Sequence, residues 1–227
     1  MPNTTPLAGS FQPHVRLEGV SKTFSGITVL DAIDLDIERG SIHALVGENG
    51  AGKSTLSKII AGIYQADAGT LYVDGEPVDF RRPRAAIAKG IATIAQETAL
   101  VPGLTVEQNV FLGAEPKKAG FVQRRALRKK FLALAQESGF DLRPDARVSS
   151  LRLADQQKVE ILRALASGAD FIIMDEPTSA ISEREVARLH DMIRELRKAG
   201  TAVIYITHKM DEVFAISDEV TVFRDGT

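Results

Sequence analysis

The stretch Gly47-Glu48-Asn49-Gly50-Ala51-Gly52-Lys53-Ser54-Thr55 decides the fold of this 227-residue chain. It matches the pattern G-x-x-x-x-G-K-[ST], a glycine-rich loop that joins a strand to a helix and binds phosphate. Glycines let the backbone adopt positive φ and approach an anion closely, and the N-terminus of the following helix favours negative charge. All nine residues are therefore predicted to bind a phosphate-bearing cofactor, with Lys53 facing the outer phosphates and Ser54 offering a hydroxyl to Mg²⁺.

The sequence on both sides of this loop has the pattern that the motif requires. Residues 42–46 read Ile-His-Ala-Leu-Val, which is typical of a strand, and residues 55–61 form a helical pattern that Gly62 ends. A glycine-rich turn that binds nothing is the alternative. The strand before the loop and the helix after it argue against that alternative.

The composition is that of an ordinary globular chain, with 44% hydrophobic and 26% charged residues. A net charge of −2 argues against nucleic acid as the main partner, because such binding depends on a basic surface. The absence of cysteine excludes disulfides and thiolate metal sites. No apolar run approaches the roughly 18 residues that a spanning helix needs. Residues 1–13 are expected to form a flexible tail without the pattern of a signal peptide.

The first 80 residues predict short antiparallel strands beside the phosphate-binding unit. Residues 15–20 alternate as an edge strand, residues 22–26 are predicted to be a loop or turn, and Asp74-Gly75 is a hairpin signal. Ile91–Ile94 is a short apolar strand.

From about residue 98 to residue 165 helical periodicity replaces the strand pattern. Thr105 begins a capping box, and residues 124–138 are amphipathic. The basic residues of this second helix are interpreted as its solvated side, and a surface for lipid headgroups or nucleic acid is the alternative. The region is predicted to be a helical insert.

The pattern of a parallel sheet then returns. Residues 171–174 are a continuous apolar run, as expected for a strand covered on both faces. Ser182 begins a capped helix, and residues 201–207 and 219–224 are further strands. Asp175 and Glu176 follow the apolar run directly, so both carboxylates are predicted to lie at the carboxyl edge of the sheet, where ligands bind in open α/β folds. One carboxylate there can hold Mg²⁺ while its neighbour polarises water. A pair of solvated strand-end acids is the alternative.

These motifs, in this order, resemble the ATP-binding subunit of an ABC transporter over residues 15–226. The resemblance implies an α/β fold: a P-loop NTPase core with a mostly parallel sheet, an N-terminal antiparallel β subdomain and a helical insert of about residues 98–165, in one domain of residues 14–227. It implies that Gln96 senses the γ-phosphate and Mg²⁺, that Asp175 organises the metal and that Glu176 is the general base. His208 resembles the histidine that contacts the γ-phosphate. Phe24 lies where the family stacks an aromatic on adenine, although packing on the edge strand would also explain it.

The family forms head-to-tail dimers, in which each ATP is completed by a signature, Leu-Ser-x-Gly-Gln, from the other subunit. The corresponding stretch here is Leu151-Arg152-Leu153-Ala154-Asp155-Gln156-Gln157, and residues 151–156 are predicted to be offered to the partner's site. Arg152 stands in place of the serine and Ala154 in place of the glycine. The phosphate-binding side therefore keeps the family pattern, whereas the side offered to a partner departs from it.

Several stretches resemble the sugar-uptake branch of the family, among them Gly62-Ile63-Tyr64 and Phe223-Arg224-Asp225-Gly226. Such importers often carry two ATPase domains in one chain, so this sequence is expected to be the N-terminal half of a longer protein. The resemblance implies an ATPase for pentose, hexose or polyol import, with ATP and Mg²⁺ as cofactors, at the cytoplasmic face of the membrane. The implied partners are a second ATPase domain, permease subunits and, indirectly, a solute-binding protein. A soluble ATPase of DNA repair or translation and a regulatory half with little hydrolysis are the alternatives.

Overall fold

The computed structural model describes residues 13–94, 99–118 and 120–227. In chain order the elements are β1 (Val15–Phe24), β2 (Ile27–Ile37), β3 (Ile42–Gly47), α1 (Lys53–Ile60), β4 (Ala68–Val73), β5 (Glu76–Val78), α2 (Pro83–Ala88), β6 (Ile91–Ile94), α3 (Val106–Val110), β7 (Lys117–Lys118), β8 (Phe121–Val122), α4 (Arg124–Ser138), a 3-10 turn (Val148–Ser150), α5 (Leu153–Ala166), β9 (Phe171–Asp175), α6 (Glu183–Lys198), β10 (Ala202–Ile206), α7 (Met210–Ile216) and β11 (Glu219–Phe223).

A five-stranded parallel sheet forms the centre of the molecule, in the order β11-β3-β10-β9-β6. Every residue of β9 and β10 is buried. Because successive side chains of a strand point to opposite faces, Ile173 and Ile204 enter one core while Ile172 and Val203 enter another. The unbroken apolar runs of these strands are thus explained by cover on both faces.

The first core lies between the parallel sheet, α1 and a four-stranded antiparallel sheet in the order β2-β1-β4-β5. Leu56 and Ile60 of α1 pack there with Leu17 and Ile37 of the antiparallel strands. The second core lies on the opposite face of the parallel sheet, where residues of α3, α4, α5 and α6 pack together. The predicted fold class is therefore confirmed.

The prediction that residues 15–20 form an edge strand is wrong. Strand β1 lies between β2 and β4 and pairs with both. It also continues to Phe24, through residues predicted to be a loop, because Ser25 and Gly26 make a two-residue turn with φ of 50° and 83°. Positive φ at both central residues is the geometry that lets a hairpin turn tightly. The turn at Asp74 and Gly75 is the predicted hairpin between β4 and β5.

The helical region contains α3, α4 and α5, together with the short hairpin of β7 and β8. Both predicted capping boxes are present, at Thr105 and at Ser182. On α4, Arg124, Lys129 and Lys130 are exposed, and Arg128 donates to Glu107 at 3.0 Å. Among the described residues, no helix is both long and apolar enough to cross a membrane.

Candidate nucleotide-binding site

The phosphate-binding loop connects β3 to α1 and depends on glycine at three positions. Gly47, Gly50 and Gly52 have φ of 147°, 87° and 105°. A Cβ on Gly47 would overlap the carbonyl oxygen of Phe223, and a Cβ on Gly52 would lie 2.8 Å from the carbonyl oxygen of Val29. Gly50 has no atom within 4 Å of such a Cβ. Its positive φ is therefore the constraint there, whereas neighbouring backbone also fixes the other two.

The Lys53 ammonium closes over this loop. Its Nζ donates to the carbonyl oxygens of Gly47 at 2.8 Å and Glu48 at 2.9 Å. Lys53 is also the first residue of α1, whose first turn begins with Thr55 N and Leu56 N bonded to Gly52 O. A cation and a helix N-terminus thus meet at one place, an arrangement that suits an anion.

Asp175 ends β9 beside this loop and is 9% exposed. Burial raises the pKa of its carboxyl and Glu176 raises it further, while the Ser54 side chain and Lys53 act in the opposite direction. A buried carboxylate beside a hydroxyl is a suitable donor set for a hard cation, since Mg²⁺ prefers oxygen ligands and is usually held by one or two carboxylates together with phosphates and water. No group of three or more histidine, cysteine or acidic side chains suited to a metal occurs in the described ranges. Ser54 and Asp175 therefore fit a cation that phosphate helps to hold.

Glu176 and His208 come from neighbouring parallel strands and meet at the same edge of the sheet. Glu176 directly follows β9, and His208 follows β10 after one intervening residue. The Glu176 N–H donates to Ile206 O at 2.9 Å, and His208 Nδ1 lies 3.0 Å from Glu176 Oε1. Glu176 has φ of 49°, a left-handed conformation that is uncommon for a residue with a side chain. Such backbone strain clusters at functional sites.

The predicted site residues enclose one cleft of about 890 Å³. Its walls are formed by Val29, Gly47, Glu48, Asn49, Gly50, Gly52, Lys53, Ser54, Thr55, Asp175, Glu176, Ile206 and His208. The structure therefore brings together the phosphate-binding loop, both acidic residues and the histidine. Ala51 is buried behind the loop. Val29 and Ile206 were not predicted to line the site, because only the tertiary fold brings β2 and β10 to the loop.

Two further predicted residues, besides Ala51, are not placed in the described lining of the cleft. Gln96 lies outside the described residues. Phe24 stands at the end of β1, outside the described lining of the cleft, and its ring packs on Tyr64 at a centroid distance of 5.2 Å. Lys22 and Lys58 lie over these two rings at 5.3 and 5.5 Å. The aromatic position is therefore a pair, and its second member, Tyr64, was not predicted to belong to it.

The signature stretch forms the exposed start of α5. Arg152 is the N-cap residue, its side chain is 86% exposed, and no side chain caps the helix there. Leu153 is 66% exposed. Asp155 pairs with Lys158 at 3.0 Å, and Lys158 pairs with Glu185 of α6 at 2.6 Å. That pair, with the Ser182 cap, lowers the pKa of Glu185 to about 2.

Gln157, the last residue of the signature stretch, bonds to the loop after the acidic pair. Its Nε2 donates to Glu176 O at 3.1 Å, and its Oε1 accepts from Ala180 N at 3.0 Å. Gln157 was not among the predicted site residues, although its place in the signature stretch is a signal that could have indicated it.

The loop between β3 and α1, at the carboxyl edge of a parallel sheet, defines a P-loop NTPase fold. Residues 30–179, more than half of the chain, match the ABC transporter family. The chain belongs to this family.

Curated relatives agree with the match. The chain is 48% identical over 215 residues to a ribose import ATP-binding protein of Rubrobacter xylanophilus, covering 95% of this chain and 43% of that protein. It is 47% identical over 212 residues to an arabinose import ATP-binding protein of Burkholderia cenocepacia, covering 93% of this chain and 42% of the relative. The chain thus spans less than half the length of these relatives.

Solved structures have the same fold. A dimeric ATP-binding cassette in a post-hydrolysis state, bound to ADP and Pi, superposes with a TM-score of 0.83 at 25% identity, covering 93% of this chain and 95% of the other. A nucleotide-free ATP-binding cassette from an ABC transporter gives 0.81 at 25% identity, covering 93% and 88%.

Proposed function

We propose that this chain binds ATP with Mg²⁺ and hydrolyses it to energise the import of a sugar or polyol through an ABC transporter. The observation that carries the proposal is the meeting of Glu176 and His208, 3.0 Å apart, in one cleft with Lys53 and Ser54. A phosphate cradle explains binding, and a carboxylate oriented by a second group across the cleft explains a reaction with water.

In this mechanism the loop amides and Lys53 hold the β- and γ-phosphates, and they balance the charge that spreads over the γ-phosphoryl oxygens. Glu176 orients a water for in-line attack and accepts its proton as the new P–O bond forms and the bond between the γ-phosphorus and the bridging oxygen breaks. His208 holds Glu176 and steadies the γ-phosphate. Ser54 and Asp175, with Gln96 assigned to the same role, would hold Mg²⁺, which would supply charge neutralisation.

The assignment to sugar import is supported by the two relatives, which are a ribose import and an arabinose import ATP-binding protein. The assembly proposed for this role is a head-to-tail pair of ATPase domains under membrane permease subunits, at the cytoplasmic face of the membrane, served indirectly by a solute-binding protein. One solved neighbour is dimeric, which supports the pairing. Phe24 is assigned to stacking on adenine. Its ring contact with Tyr64 enlarges the aromatic surface available for stacking.

The test is sugar uptake by cells that carry Glu176→Gln in the full native gene. We expect uptake of one labelled pentose, hexose or polyol to be lost, while uptake of an amino acid is unchanged. The matched control is Glu195→Gln on α6. Glu195 is exposed, and its carboxylate pairs only with Lys198 among the described residues. Unchanged uptake of every sugar and polyol in the panel would contradict the proposal.

The departure of the signature from the family pattern gives only weak support to the alternative of a regulatory half with little hydrolysis. Arg152 and Ala154 occupy positions where the family pattern has a serine and a glycine. Since the signature serves the partner's ATP, this departure affects the site completed by this chain's α5, and leaves the cleft of Lys53 and Glu176 unaltered.

A further inference from the structure

A buried hydrogen-bond network lies directly behind Glu176 and His208. Its centre is Glu212 of α7, which is 8% exposed and lies outside the cleft lining. Thr178 Oγ1 donates to the Glu212 carboxylate at 2.8 Å, and Tyr205 Oη donates to it at 2.7 Å. Lys209 Nζ pairs with it at 3.1 Å. One carboxylate therefore joins three other groups at the edge of the sheet.

The residues that bond to Glu212 lie on the two segments that carry Glu176 and His208. Thr178 comes two residues after Glu176, whereas Tyr205 and Lys209 flank His208. Thr178 is 2% exposed and Tyr205 is fully buried. The separation of the two segments is thus set on one side by the backbone bond from Glu176 N to Ile206 O and on the other by Glu212.

The hydrogen bonds of this network determine which of its atoms donate and which accept. Tyr205 gives its only proton to Glu212, so its oxygen is left to accept from His190 Nε2, 3.3 Å away, which requires the Nε2–H form of that imidazole. Burial alone would raise the pKa of Glu212, but Tyr205, Thr178 and Lys209 hold it below its ordinary value. Burial lowers the pKa of His190, which favours the neutral form of the ring. Glu212 is therefore an anion whose hydrogen-bond acceptor capacity is used by donors on both segments.

We infer that Glu212 is a positioning residue for hydrolysis, which fixes Glu176 against His208 through Thr178 and Tyr205. The inference rests on the roles proposed above for Glu176 and His208. A neutral amide at this position would direct N–H groups at donors and leave the Lys209 ammonium without its buried counter-charge. The two segments would then lose their shared anchor, and small displacements of a reacting group cost up to about 10²-fold in rate.

The experiment measures steady-state ATP hydrolysis and ATP affinity for Glu212→Gln in the full chain assembled with its native partners. We expect kcat to fall about 10- to 100-fold, while the KM and the ATP dissociation constant stay within about twofold, because Glu212 touches no part of the phosphate-binding loop. Tyr205→Phe removes one hydroxyl, and with it the bond to Glu212 and the bond from His190, with little change in side-chain shape. It therefore tests the same link if the glutamine variant does not fold. Its kcat should fall severalfold.

Asp218→Asn is the matched control. Asp218 follows α7, accepts from Ile42 N at 2.9 Å and pairs with Arg197 at 2.6 Å, so it also joins three elements, away from the cleft. This variant should lose thermal stability without a change in kcat beyond about twofold. An equal fall in kcat for both variants would reduce Glu212 to a general stabiliser and overturn the inference.

The NMR signals of the histidine rings give a readout that does not depend on turnover. The chain has four histidines, so few ring signals have to be assigned. In NMR spectra of labelled protein, Glu212→Gln should move the His208 signal toward its position in Glu176→Gln, and Asp218→Asn should leave it in place. In kinetics, Glu212→Gln should cost nothing further once Glu176→Gln is present. If Glu176→Gln retained full turnover, the role proposed for Glu176 and this inference would both fail. Loss of turnover in Glu176→Gln with normal turnover in a folded Glu212→Gln would overturn only the inference.

Discussion

The phosphate-binding loop and the signature stretch are built in opposite ways. The loop is held by backbone contacts within the chain, so that a Cβ on Gly47 would overlap Phe223 O. The start of α5 is exposed, and side-chain ion pairs from Asp155 to Lys158 and on to Glu185 hold it. In the proposed dimer, the chain would therefore organise its own half of an ATP site by itself, and the surface around Arg152 would be completed by the partner ATPase domain.

The largest effect is expected for Glu176→Gln, in the cleft that the phosphate-binding loop also lines. The amide is nearly isosteric but accepts no proton, so turnover should fall about 10²–10⁴-fold with ATP affinity preserved. Single-turnover hydrolysis and calorimetry on the same sample separate the two quantities. Turnover that survives the substitution would move the base elsewhere, with His208 the next candidate.

Lys53→Ala tests the same side at the phosphates. Charge-assisted contacts of this kind contribute about 1.5–3 kcal/mol, so ATP·Mg²⁺ should bind about 10- to 100-fold more weakly. Lys89→Ala, which removes an exposed ammonium paired with Glu76, is the control and should bind as the wild type does. Equal affinity for Lys53→Ala and wild type in calorimetry would refute the assignment of the loop.

Arg152→Ser with Ala154→Gly tests the signature side. A serine donor and a close glycine N–H should raise the turnover of a homodimer at least about tenfold, since removing one preorganised donor elsewhere costs about 10²–10³. Serine at the N-cap can also accept from a backbone N–H of the first turn of α5 and should stabilise the helix by about 1 kcal/mol. Unchanged turnover, in a sample shown to dimerise with ATP, would mean that the present signature is already competent.

The smallest effect concerns the buried acid. Because burial raises the pKa of Asp175, its ionised form costs stability in the absence of a cation, and Asp175→Asn should raise the melting temperature at pH 7. The gain should shrink as the pH falls through the folded pKa and vanish below the unfolded value of 3.8, where Asp175 is protonated in both states. Melting curves across that pH range check the sign. A gain that persisted in acid would show a packing effect.

Local patterns predicted most of the fold. The loop motif, both capping boxes and the apolar runs of β9 and β10 depend on neighbouring residues, and all appear in the structure. The error at β1 arose because its place between two strands depends on pairing with β4, some 50 residues along the chain. The length of β1 depended on the turn at Ser25 and Gly26, which was not recognised as a hairpin.

The candidate site was predictable in part for the same reason. Asp175 and Glu176 follow an apolar run, so their position at the sheet edge follows from sequence. The distance between Glu176 and His208 does not, since it requires β9 and β10 to be neighbours in the sheet. Thr178 and Glu212 give no local signal at all, because their roles depend on a contact made only by the fold.

The contacts of Gln157 imply that the two ATP sites of the proposed dimer would be thermodynamically coupled. Its bonds to Glu176 O and Ala180 N connect the helix that carries the signature to the loop that carries the proposed base. In the proposed head-to-tail dimer, a nucleotide that engages α5 of one chain is bound in the cleft of the other. ATP bound in one cleft would then change the free energy of ATP binding in the other cleft through the Gln157 side chain. Thermodynamic reciprocity requires the same coupling energy in both directions. The binding of the two ATP molecules would thus be coupled without any contact between them.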